Sequence, residues 1–290
     1  MARGFDHVVH AVRDLDAAAG FYARLGFTVG TRNRHPREWG TQNQLIQLNG
    51  AFVELLALAD PTHIAPHAVR RFSFGAFTRD FLAQGQGVSM LALEGRGAPD
   101  AEAFRAAGIG DFDLNEFERE GQRADGTPIH LAFSLAFAAD PRAPDAGFFT
   151  CEHRHSADNF WDPALLRHAN TATRIAGVVL VAENPADHHV FLSAFAGVRD
   201  LVSTSAGVTV KTPRGDIQVM DPAAFASQLG VAPPDLSRGA RFAALRFAMR
   251  DLAAAVGLLQ ASGVAASMRM GRVVIGPAPA MGTTLVFEQA

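Results

Sequence analysis

The segment Phe5-Asp6-His7-Val8-Val9-His10-Ala11-Val12 decides how this chain is read. It is an apolar strand carrying histidine, and a second apolar run, Phe52-Val53-Glu54-Leu55-Leu56, carries one acid. Side chains alternate along a strand, so Phe5, His7, Val9 and Ala11 share one face of the first run. Phe52, Glu54, Leu56 and Leu58 share one face of the second. Laid side by side, the two strands bring His7 and Glu54 over one concave surface. An imidazole and a carboxylate on rigid strands are most of a divalent-metal site.

Outward from these runs the punctuation is regular. Asp14 is placed as an N-cap, Leu15, Ala18, Phe21, Tyr22 and Leu25 recur at helical spacing, and Gly26 is a stop. Phe27-Thr28-Val29 reads as a strand, residues 30–41 as a polar loop, and Thr41–Leu48 as a strand turning at Asn49-Gly50. The order β-α-β-β-β restarts three times. Residues 59–85, rich in Pro and Phe, read as a lid or packing insertion before Val88–Leu93. A helix over 98–107, strands over 112–119, 129–137 and 148–153, and an Asp125-Gly126 turn complete the second unit. The third opens at Ile175–Ala182 and the fourth at Phe242, separated by a Pro-containing connector over 221–238. Four copies of one supersecondary unit predict an α+β fold in which paired βαβββ modules form two curved mixed sheets. Residues 1–170 are expected to be the cup that carries the site, and residues 171–290 a structural or interface half.

Internal comparison separates chemistry from architecture. Sliding the third unit onto the first puts Asn184 at Asp14, Gly177 at His7 and Gln218 near Glu54. In the fourth, Asp251 and Ala244 take the first two places and an acid persists as Glu288. The histidine is confined to the first copy, so the fold does not require it. A third ligand has to come from the second unit, where the His7 place falls near Ser89. Its last strand ends Phe149-Thr150-Cys151-Glu152-His153; only one of Glu152 and His153 can face the cavity, and His153 is favoured because Phe148 and Thr150 share the face of Glu152. His35, Thr41 and Asn43 are candidates to orient a substrate, and Glu54 is also a candidate proton acceptor.

The 290-residue composition, 48% hydrophobic and 19% charged, is globular. A net charge of −3 offers no footprint for nucleic acid or anionic lipid. No apolar run is long enough to span a bilayer, and the single cysteine, Cys151, excludes an intrachain disulfide. A cytoplasmic protein acting on a small molecule is expected, without nucleic-acid or membrane partners; a homodimer is left open.

The runs Asp6–Val9 with Asp14-Leu15, Gly40–Asn43, Ala51–Leu56, Phe149–His153, Phe160–Pro163 and His168–Asn170 carry a family resemblance. The chain resembles the vicinal oxygen chelate superfamily and, over Phe5 to Asn170, the bacterial glyoxalase-like domain proteins. The resemblance implies a divalent metal (manganese, iron(II), nickel or zinc) on His7 and Glu54, chelating vicinal substrate oxygens in an isomerase, lyase or dioxygenase. Members resembling lactoylglutathione lyase carry a histidine where this chain has Ser89, and a His-His-Glu set would require His153. Some superfamily members are metal-free binding proteins, which is the alternative.

Overall fold

The computed structural model describes residues 1–122 and 127–290, so the Asp125-Gly126 turn lies outside the described residues. The first half runs β1 (Phe5–Ala11), α1 (Leu15–Arg24), β2 (Asn33–Arg34), β3 (Thr41–Leu48), β4 (Ala51–Leu58), α2 (Phe74–Gln84) and β5 (Gly87–Glu94). It continues with α3 (Ala98–Ala106), β6 (Asn115–Gln122), β7 (Pro128–Ala138), β8 (Gly147–His153) and α4 (Ala157–Phe160). The second half runs β9 (Ala172–Val181), α5 (His189–Ala196), β10 (Leu201–Thr204), β11 (Gly207–Lys211), β12 (Asp216–Met220) and α6 (Pro222–Leu229). It ends with β13 (Arg241–Met249), α7 (Leu252–Ala261), β14 (Ser267–Arg269), β15 (Arg272–Ile275) and β16 (Thr284–Gln289).

These strands form two curved, mixed eight-stranded sheets, β2-β3-β4-β1-β5-β8-β7-β6 and β10-β11-β12-β9-β13-β16-β15-β14. The second order repeats the first with every strand shifted by eight, which is the expected fourfold restart in three dimensions. In each module the first and last strands pair in parallel, β1 with β4 and β9 with β12, because a helix carries the chain over the sheet between them. The caps show why the helices begin where they do. Asp14 and Asp251 each accept a backbone N–H three residues on, at 2.9 Å. Asn184 makes no such side-chain bond, and the chain after it starts as a 3-10 turn over Pro185–His188.

One continuous core lies between the sheets. It takes Val8, Val53, Leu55, Leu91 and Phe148 from the first and Val178, Leu180, Leu245, Phe247 and Phe287 from the second, with the buried faces of α1, α3, α5 and α7. The run Phe27-Thr28-Val29 is not a strand. Phe27 is buried against the rings of Phe247 and Phe287 at 4.9 and 6.0 Å, and Thr28 is bound to Arg167 and His168. Its apolar and β-branched residues dock one half on the other instead of joining a ladder. The two connectors between modules both contain helices. Ser73 caps α2 and Asp221 caps α6, with Pro222 at the first turn of α6. In the second sheet Phe225 and Leu229 of α6 fill the concave face against Val179, Val181, Ala244 and Val286. In the first, α2 presents Phe74 at the edge of the concave face, which stays hollow.

Candidate metal and substrate site

The hollow is a small cavity of about 50 Å3, open at its mouth. Aromatic rings of Trp39, Phe52, Phe74, Phe117, Phe133 and Phe149 form most of its wall, and His7, His35, Asn43, Glu54 and Arg119 supply its polar groups. Curling of the sheet closes it. The outermost strands, β2 and β6, belong to opposite edges, yet Arg119 of β6 donates to Asn33 of β2 at 3.2 Å, and the Phe117 ring stands 4.6 Å from Trp39.

β1 and β4 place His7 and Glu54 as the alternation predicts. Val9 pairs with Glu54, so the carboxylate lies one same-face step from His7, with Glu54 Oε2 3.8 Å from His7 Nε2. The third module keeps the same register, Gln218 opposite Val179, which supports equating Gln218 with Glu54 and Gly177 with His7. The fourth module does not keep the acid in that place. Glu288 lies opposite Ala248, beyond Val286 opposite Arg246, and the Arg246 guanidinium holds it at 2.8 Å.

Alternation fails before His7. The β1–β5 register slips between Phe5 and His7, a bulge that leaves Asp6 without a ladder partner and turns Phe5 into the inter-sheet core, away from His7. Asp6 becomes a buried member of the site that strand periodicity could not reveal. Its Oδ1 accepts from His7 Nδ1 at 2.5 Å, and its Oδ2 stands 3.0 Å from His153 Nε2, off the line of a hydrogen bond. Burial alone would raise the Asp6 pKa, but His153 and His7 outweigh it and hold the carboxyl well below the usual range. Burial acts to lower the His153 pKa, and the Asp6 carboxylate raises it above the usual value nonetheless.

A second bulge, between Val9 and His10, falls at Ser89, whose hydroxyl is buried with no partner among the described residues. The residues of β5 and β8 that share the cavity-side cluster are Met90, Ala92, Phe149 and Cys151. Burial, then Asp6 and Glu54, push the Cys151 thiol well above its ordinary pKa.

The polar rim residues form one chain of contacts. Thr41 Oγ1 meets His35 Nδ1 at 2.8 Å, and Asn43 Nδ2 donates to His35 Nε2 at 3.1 Å and to Glu54 Oε1 at 2.5 Å. Burial lowers the His35 pKa, so the ring is neutral, with Nδ1–H toward Thr41 and Nε2 accepting from Asn43. Thus His35 and Asn43 adjoin Glu54 and His7 faces it, whereas Thr41, outside the cavity lining, reaches the site only through His35. His153 stands apart from that pair, behind Asp6. Among the described residues, the three groups whose ligand atoms lie within 4.8 Å of one another are Asp6, His7 and Cys151.

Paired βαβββ modules curled into two mixed sheets are the glyoxalase/dioxygenase-like fold that the repeat predicts. The chain belongs to the glyoxalase-like domain family, whose model matches residues 5–195. No curated protein sequence matches it. A hypothetical protein from Staphylococcus aureus is similar in fold at 11% identity, with a TM-score of 0.67 over 99% of this chain and all of that one. A variant of 4-hydroxymandelate synthase from Streptomyces coelicolor, also 11% identical, has a TM-score of 0.56 over 99% of this chain and 92% of that one. A xylose isomerase-like TIM barrel/4-hydroxyphenylpyruvate dioxygenase fusion protein, 13% identical, gives 0.54 over all of this chain and 49% of that one. At such identities the likeness is one of fold. No helix among the described residues is long and apolar enough to cross a membrane.

Proposed function

We propose that the protein is a metal-dependent enzyme acting on a small oxygenated metabolite, as an isomerase, lyase or dioxygenase, in the cytoplasm. His7, Glu54 and His153 are its proposed ligands for one divalent ion: manganese, iron(II), nickel or zinc.

The observation that carries the reading is the approach of His7 Nε2 to Glu54 Oε2 at 3.8 Å on the cavity wall. Two donors about 2.1 Å from a shared ion stand roughly 3.0 to 4.2 Å apart, depending on the angle between them. Asp6 strengthens the fit. By accepting from Nδ1 it leaves the Nε2 lone pair of His7 free, the arrangement in which a carboxylate orients a ligating imidazole. His153 joins this pair only by leaving Asp6, which sets a condition on its role. A bound ion would polarise a carbonyl or enediolate, or present an oxygen ligand.

The remaining parts follow from the side chains. Asn43 holds Oε1 of Glu54, so Oε2 is the oxygen left to act as ligand and, once substrate displaces it, as proton acceptor. Asn43 Oδ1 is buried with no partner among the described residues, an acceptor suited to a substrate hydroxyl. His35 and Thr41 fix the Asn43 amide from behind. The aromatic wall keeps water from the reacting atoms.

A second reading, a metal-free binding protein of the same fold, is favoured by one observation: the cavity-side residues of β5 and β8 are Met90, Ala92, Phe149 and Cys151. Thermal melts of chelator-treated protein discriminate. Ion at about 100 times its dissociation constant adds roughly 2.7 kcal/mol to stability. A melting temperature raised by one of these ions in the wild type and not in His7→Ala supports the enzyme. Identical responses to all four ions leave the binding protein.

A further inference from the structure

Among the described residues that line the cavity, Arg119 alone carries a fixed positive charge. It lies on β6 and shares its strand face with Phe117, two residues earlier, which also lines the cavity. Its guanidinium is shielded enough that burial lowers its pKa, with the Glu54 carboxylate opposing the shift. Yet the partner it has is a neutral one, the Asn33 amide oxygen at 3.2 Å. Among the described residues no carboxylate lies within ion-pair distance of Arg119. By contrast Arg3, Arg238 and Arg246 each engage a carboxylate through two nitrogens or two oxygens.

A half-buried guanidinium with five N–H donors and one long bond to an amide is under-used. Desolvating it without an anion costs stability that a surface arginine would not lose. Placed beside an aromatic cavity, its planar fork matches the two oxygens of a carboxylate. A phosphate dianion fits less well, since the cavity offers one cation and its wall is chiefly rings.

We infer that Arg119 anchors the anionic end of the ligand, and that the ligand is a small monocarboxylate with a flat, apolar or aromatic body. The carboxylate displaces Asn33 from the guanidinium, the body stacks among Trp39, Phe74, Phe117 and Phe133, and the other end points toward His7 and Glu54. This rests on the cavity being the substrate site, as the proposed function has it, and does not require the ion. Asn33 and Arg119 thereby form a clasp between the two sheet edges that ligand binding opens.

Calorimetric binding of phenylacetate and of its neutral isostere phenylacetamide to chelator-treated protein tests this. The wild type should bind phenylacetate at least about tenfold more tightly, the scale of one charge-assisted fork. Arg119→Met should erase the preference while leaving phenylacetamide binding intact; Arg119→Lys should keep a part of it, having the charge without the fork. Equal binding of the two probes by the wild type, no binding of phenylacetate at millimolar concentration, or an undiminished preference in Arg119→Met overturns the assignment. Arg119→Met should still respond to added metal as the wild type does. A carboxylate preference that persists in a protein taking up no metal would sink the metal reading and leave this one standing.

Discussion

His10 gives the protein an acid-labile core whose cost can be worked out. The ring is fully buried; Tyr22 Oη donates to its Nδ1 at 2.9 Å, and its Nε2 donates to the Met281 carbonyl at 3.2 Å. Those two bonds satisfy the neutral tautomer, and burial lowers the pKa from 6.5 to about 4. Between those values the unfolded chain binds a proton that the folded chain refuses, so stability rises with pH and is lost on acidification through 6.5 toward 4. The gap between those two values is worth roughly 3.4 kcal/mol in full. About 2 kcal/mol of it is already lost by pH ~5. Urea denaturation at neutral pH and at pH ~5 measures the drop. His10→Gln, which can accept from Tyr22 and donate to Met281 without titrating, should show a drop smaller by that amount. Other histidines titrate in both proteins and cancel in the comparison. The same drop in wild type and variant refutes the assignment to His10.

Asp6→Asn should weaken metal binding by about 10- to 100-fold, as loss of a carboxylate behind a ligating imidazole does, read by competition with a chelator dye. Phe225→Ala, which empties the concave face of the second sheet, should cost about 3–5 kcal/mol by chemical denaturation and leave phenylacetate binding unchanged. Cys151 should resist alkylation by iodoacetamide in the folded protein at neutral pH and react at once in urea, because its thiolate is disfavoured by burial and by Asp6 and Glu54.

The module repeat is legible because each copy carries its own punctuation: Asp14 and Asp251 as caps, and glycines such as Gly26 and Gly197 with positive φ at helix ends. The pairing of His7 with Glu54 is legible for the same reason, since it needs only strand period and parallel register. Asp6 is hidden because a bulge breaks the period on which the reading depends, and no local residue marks it. Arg119 is hidden differently. On an edge strand written Glu118-Arg119-Glu120 it looks like a solvated charge, and only the curl that brings β6 to β2 turns it into a cavity residue. Helix α6 did leave a local signal, Asp221 before it, Pro222 in its first turn and Gly230 after it, inside a segment read as a connector. Phe27-Thr28-Val29 has strand composition, but tertiary packing against Phe247 and Phe287 decides its use.

His7 and Glu54, if they share one ion, make its uptake countable. Titration of chelator-stripped protein with manganese(II), followed by loss of the free-ion electron paramagnetic resonance signal, counts the bound ions directly. One ion per chain is expected in the wild type and none of comparable affinity in His7→Ala or Glu54→Gln, both folded by circular dichroism. A wild type that takes up no manganese and none of the other three ions, or variants that bind as the wild type does, would contradict it.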